Sequence, residues 1–212
     1  MLQYTSNLMT AKLKVLCLHG FTQNADKFKD KASQLTKKLN MDFTWLSGPI
    51  KLPVENDDAR AWWTYSDINT LEFDWNTIID KNIEHVGFAN TIRYIQDVFI
   101  KQGPFDGIMG FSQGATLAGY LCANREELKL DFKFAIMMCG FKSYLIDKVN
   151  INIPSIHIIG KNDTIILPSK SRELANAFKD PILIEHNGRH VILSNGLVKN
   201  KILELVANLK IN

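Results

Sequence analysis

No hydrophobic run in the sequence is long enough to span a membrane, and the first residues, MLQYTSNLMTAKLK, lack the apolar stretch of a secretory leader. Neither a membrane span nor export is expected. An excess of one charge is lacking too. The formal net charge is +3 and no Lys/Arg block is dense, which argues against nucleic-acid binding. Cysteine is sparse. Cys17, Cys122 and Cys139 are odd in number, far apart and without a CxxC pair, so neither a disulfide framework nor a zinc site is expected. Buried free thiols in a reducing, cytoplasmic compartment fit this pattern. Repeats, linkers and low-complexity segments are also missing, so the 212 residues read as one domain able to bury a core.

What is present alternates between two periods. Short apolar runs at Lys14–Leu18, Asp42–Leu46, Asp106–Gly110, Lys133–Cys139, Ile153–Ile159 and Ile182–Glu185 read as six strands. Helical spacing separates them, over residues 25–39, 85–101, 112–127, 168–178 and 191–209. Strands apolar throughout, alternating with helices, predict an α/β fold with a mostly parallel sheet covered on both faces. Residues 47–82 show neither period and read as an irregular insert rich in tryptophan.

Gly110-Phe111-Ser112-Gln113-Gly114 is a G-x-S-x-G motif following a predicted strand and opening a predicted helix. That is the setting of a nucleophile elbow, in which a strained turn lifts a serine hydroxyl above the sheet. Glycines two positions either side avoid collision with neighbouring backbone. The competing reading is a serine N-cap in an ordinary strand-to-helix turn.

A serine hydroxyl needs a base, and the base needs an acid to orient it. In such folds both follow the serine in the chain, on loops after later strands. Of five histidines, His19 and His85 precede Ser112, and His157 lies inside a predicted strand as a satisfied core residue. His190, on the loop after the last strand, is the candidate base, with His186 the runner-up as a loop-holding residue. Asp163, in Gly160-Lys161-Asn162-Asp163 directly after a strand, is the candidate acid; its competing role is an Asx-type turn.

Two donors are needed for the oxyanion. The backbone N–H of Gln113 is one candidate, and that of Phe21, in LHGFTQN after the first strand, is the other. His19 stiffens that loop. Arg60, Trp62 and Trp63, in RAWW, form either the wall of a substrate pocket or a satellite core under the insert. Arg60 contacts a substrate carboxylate or pairs with Asp57 or Asp58.

Five stretches together resemble the FSH family of serine hydrolases: LHGFTQN at 18–24, RAWW at 60–63, GPFDGIMGFSQGA at 103–115, GKND at 160–163 and GRHVI at 188–192. The resemblance implies an α/β-hydrolase fold, a triad of Ser112, Asp163 and His190, and hydrolysis of a small-molecule acyl ester or thioester without metal or cofactor. Arg189 stands where relatives often carry glycine, and either narrows the entrance or favours anionic substrates. Two other functions compete: a non-catalytic binding protein on a hydrolase scaffold, which a broken triad would favour, and a small peptidase, which an ester-versus-amide assay would separate.

Overall fold

The computed structural model describes residues 12–55, 57–65, 74–81 and 83–209. Its centre is a six-stranded parallel sheet made of β1 (Leu13–Leu18), β2 (Met41–Leu46), β7 (Gly107–Phe111), β8 (Phe134–Met138), β9 (Ser155–Gly160) and β10 (Ile182–His186). The spatial order is β10-β9-β8-β7-β1-β2, so the chain builds outward from β1 to one edge, then crosses back and extends to the other. The six predicted strands are these six, each within two residues at either end.

The alternation of side chains along a strand explains why helices cover both faces. In β1, Val15 and Cys17 join a core with Phe28, Ala32 and Leu35 of α1 (Ala25–Thr36) and Val198, Ile202 and Val206 of α6 (Gly196–Leu209). Leu16 and Leu18 point the other way, into a core with Ile92 and Ile95 of α3 (Phe88–Gln102), Leu117 and Leu121 of α4 (Gln113–Asn124) and Leu174 of α5 (Pro168–Ala175). Cys17, Cys122 and Cys139 are all buried and unpaired.

The insert departs from the sequence expectation. Instead of being irregular throughout, it holds a short antiparallel ladder of β3 (Ile50–Lys51) with β4 (Arg60–Ala61), helix α2 (Trp75–Asp80), and β5 (Thr64–Tyr65), which pairs antiparallel with β6 (His85–Val86) just beyond the insert. Ladders of two residues leave no period to read. Residues 56, 66–73 and 82 of the insert lie outside the described residues. The β5–β6 pairing also moves the start of α3: Val86 pairs with Thr64 and is exposed, and the helix begins only after Gly87, at φ 82°. Likewise α6 starts at Gly196 and not at 191, because the Asn195 side chain accepts the Val198 N–H at 3.0 Å and caps it.

Two of the buried histidines are held neutral. Burial lowers His19 to about 4 and His157 to about 3. His157 is core, as expected, but its Nε2 has no hydrogen-bond partner among the described residues. The unfolded chain takes up these protons near pH 6.5, the folded chain only at the lowered values. The stability they confer is therefore complete above 6.5 and lost as pH falls toward 4. Each contributes a slope of up to about 1.4 kcal/mol per pH unit. The urea midpoint is expected to fall continuously across that window; a flat profile would show that the fold accepts both protons.

Candidate active site

β7 ends at Phe111 and α4 begins at Gln113, leaving Ser112 alone in the turn at φ 53°, ψ −118°. A non-glycine residue there is strained, and the surrounding bonds hold it: the Ser112 N–H donates to the Met138 carbonyl at 2.8 Å. The motif glycines are required by close approach. A Cβ at Gly114 would lie 2.1 Å from the Leu18 carbonyl oxygen, and one at Gly110 would lie 2.3 Å from that of Gly114. The elbow thus packs directly against the end of β1, where the LHGFTQN loop begins.

Asp163 follows β9 and His190 follows β10, so both rise from the same edge of the sheet as Ser112. The structure brings them together: His190 Nδ1 and Asp163 Oδ2 are 2.7 Å apart. The other oxygen, Oδ1, accepts the N–H groups of Ile165 at 2.9 Å and Ile166 at 3.0 Å. Asp163 therefore makes the Asx-type turn and the histidine contact at once, one oxygen for each. Burial alone would raise its pKa, but the His190 hydrogen bond, the imidazole charge and the N–H groups of Ile166 and Ile165 outweigh it and hold the carboxyl below the ordinary range. An ionised carboxylate only accepts, so His190 Nδ1 is the donor in this contact. The ring packs on Phe111 with centroids 4.8 Å apart. His186, the runner-up, accepts the Gly188 N–H at 3.0 Å through Nδ1 and holds the loop.

Ser112 and His190 open onto one cleft of about 610 Å³, whose apolar lining includes Phe21, Trp75, Phe111, Ile165, Val191 and Ile192, beside the polar Thr22, Gln23 and Lys31. Phe21 sits on this wall beside Gly20, and its ring meets Trp75 edge-on at 5.2 Å. Gln113 is the first residue of α4, where a helix N–H has no partner within the helix.

The structure does not bring Trp62, Trp63 or Arg60 to the cleft. Both tryptophans are 0% exposed and are absent from its lining, because their rings are drawn into the core that α3 and α4 share with the insert. Of the two readings of RAWW, the geometry matches the core. Arg60 Nε pairs with Asp58 at 2.6 Å. Arg189 is exposed and likewise does not line the cleft. The wall comes instead from Trp75 and Ile165, which lie in no motif, with Val191 and Ile192 from the GRHVI stretch.

Cys139 was also silent in the sequence. Its Sγ lies with ligand atoms of Asp163 and His190 in a group spanning no more than 4.8 Å. Burial, followed by the charge of Asp163, pushes its thiol up to about 12. The carboxylate and imidazole are bonded to each other, and the thiol donates to the Val191 carbonyl at 3.7 Å. The group therefore reads as a hydrogen-bonded pair with a packed thiol beside it.

Residues 9–202 match the profile of the family described as serine hydrolase (FSH1). The chain belongs to the FSH1 serine hydrolase family. Among its relatives, the esterase OVCA2 of Xenopus tropicalis is 32% identical over 201 residues, covering 85% of this chain and 86% of that protein. The esterase OVCA2 of Danio rerio is 31% identical over 208 residues, covering 85% and 90%. Solved structures share the fold at low identity. Zea mays acyl-protein thioesterase 2 matches with a TM-score of 0.67 at 16% identity over 93% of this chain and 95% of that one. The Bacillus cereus carboxylesterase matches at 0.62 and 20%, over 92% and 88%. The chain is thus an esterase-type serine hydrolase on the α/β-hydrolase fold.

Proposed function

We propose that this FSH1 family member hydrolyses carboxylic esters or thioesters of apolar acyl groups through a Ser112–His190–Asp163 triad. The observation that carries the reading is the 2.7 Å contact between His190 Nδ1 and a buried, ionised Asp163, on the cleft that Ser112 also lines. His190 Nε2 takes the Ser112 proton as Oγ attacks the acyl carbon. The carbonyl oxygen becomes an anion facing the N–H groups of Gln113 and Phe21. Collapse of this adduct expels the alkoxide or thiolate, which receives the proton from His190 and leaves an acyl-Ser112 ester. Water, deprotonated by His190, then releases the acid. Asp163 stays charged throughout and stabilises the imidazolium.

The reading treats the chain as one hydrolase domain, and the three buried thiols support a reducing, cytoplasmic setting. The apolar part of the cleft, formed by Phe21, Trp75, Ile165, Val191 and Ile192, supports a place for an acyl chain. A fluorophosphonate is expected to label the protein once, with the adduct mapping to Ser112; no labelling, or an adduct elsewhere, overturns the triad. Run with p-nitrophenyl esters and coenzyme A thioesters of rising chain length, kcat/KM is expected to climb by about tenfold for every two methylenes buried in the cleft. A flat response would remove the cleft as acyl site.

A further inference from the structure

Trp62 and Trp63 are the largest fully buried side chains among the described residues, and the chemistry above uses neither. Yet they are bonded at both ends to the segments that carry the two oxyanion donors. The Gln113 side chain grips the pair at two points: its Oε1 accepts the Trp62 N–H at 3.0 Å and its Nε2 donates to the Trp63 carbonyl at 2.9 Å. The Trp62 indole Nε1 donates in turn to the His19 carbonyl at 2.8 Å. The Thr91 hydroxyl donates to the Trp62 carbonyl from α3. His19 is itself locked, with Nδ1 on the Gly20 carbonyl at 2.7 Å and Nε2 accepting the Gly48 N–H at 2.8 Å. Gln113, Trp62, Thr91 and His19 are all 0% exposed.

We propose that the Gln113 side chain, Trp62 and Thr91 form a positioning clamp that sets the spacing between the Gln113 and Phe21 N–H groups. The inference rests on the reading of Ser112 as nucleophile. One donor, Phe21, precedes the elbow in the chain on the loop after β1; the other is the first residue of α4. Trp62 is the piece that touches both sides, held by the side chain of the one and holding the backbone two residues before the other. A primary amide supplies the acceptor and the donor that this grip needs. Glutamate would lose the donor, and asparagine is a methylene short. Oxyanion donors act only within a few tenths of an ångström of the correct distance, and a displacement near 1 Å costs on the order of 100-fold in rate.

Gln113→Met removes both grips at similar volume, and Thr91→Val removes only the brace on Trp62. Each variant is titrated to completion with a fluorophosphonate, and kcat and KM for an activated ester are expressed per titrated site. Affinity is then measured for an alkyl trifluoromethyl ketone. This probe adds Ser112 Oγ to its carbonyl carbon, passes the proton to His190 and leaves an oxyanion in the hole. We expect kcat per site to fall about 100-fold in Gln113→Met and about tenfold in Thr91→Val, with KM nearly unchanged. The ketone inhibition constant should rise by the same factors. Wild-type kcat per titrated site, or a lower kcat with an unchanged ketone constant, overturns the clamp. If Gln113→Met does not fold, Thr91→Val decides the matter by the same criteria. Failure of the wild-type enzyme to be titrated would instead strike the nucleophile reading.

Discussion

Replacing Ser112 with alanine is expected to lower kcat for an activated ester by about six orders of magnitude and to leave the fold intact. The two halves of this expectation come from different atoms. The bonds that hold residue 112 in its turn are made by its backbone: the N–H donates to Met138, and the carbonyl accepts from the N–H groups of Ala115 at 2.9 Å and Thr116 at 3.1 Å. Alanine keeps all of these. The hydroxyl is the one group lost, and with it the covalent path. The Gln113 and Phe21 N–H groups and the cleft remain, so a residual acceleration of about 10³ to 10⁴ over water should persist. Kinetics with a p-nitrophenyl ester, alongside a thermal melt, checks both halves. Turnover within tenfold of the wild type would remove Ser112 as nucleophile, whereas a collapsed melting temperature would show that the hydroxyl had a structural role.

The order of elements was legible because the strands of a parallel sheet are apolar on both faces. Leu13–Leu18 alternates Val15 and Cys17 against Leu16 and Leu18, and both sets are buried, so the run could only be an interior strand. Asp163 and His190 were legible for a topological reason. Loops after successive parallel strands emerge at one edge of the sheet, so polar residues that follow β9 and β10 are carried to the same edge as Ser112. Composition alone was a poor guide to direction. Trp62-Trp63 announces a large apolar surface without saying which side of the chain it faces, and the answer lies in the Gln113 amide, 50 residues away from Trp63. The residues that line the cleft, Trp75, Ile165, Val191 and Ile192, arrive through tertiary closure. Asn76, for example, ties α2 to the acid loop by accepting the Leu167 N–H at 3.0 Å and donating to the Ile165 carbonyl at 3.2 Å. No local pattern encodes that contact. The late start of α6 was within reach, since Asn195 is a strong N-cap; the apolar residues before it, Val191 and Ile192, extended the helical pattern falsely because the cleft needs them.

Asp163→Asn is expected to lower kcat by about 10⁴ with a change in KM of less than about threefold, and the reason is visible in how the two carboxylate oxygens are used. Oδ1 accepts two backbone N–H groups, from Ile165 and Ile166, so in the variant the single amide oxygen is drawn to that side. The amide NH₂ then faces His190 Nδ1, where the wild type presents an acceptor at 2.7 Å. Two donors cannot face each other, so Nδ1 gives up its proton and Nε2 acquires one. The imidazole stays in place, but its lone pair now points away from Ser112 and cannot receive the serine proton. Stability follows a separate path. Because the folded Asp163 carboxyl titrates below its ordinary value, the stability it contributes is complete above that value and is lost as pH falls through the depressed one. The stability gap between wild type and Asp163→Asn should therefore be widest near neutrality and narrow in acid below pH 4. Kinetics at pH 7 and urea melts at pH 7 and pH 3.5 separate the two effects. A variant that keeps more than a tenth of wild-type kcat would mean that Asp163 is a turn residue alone and that another group orients His190.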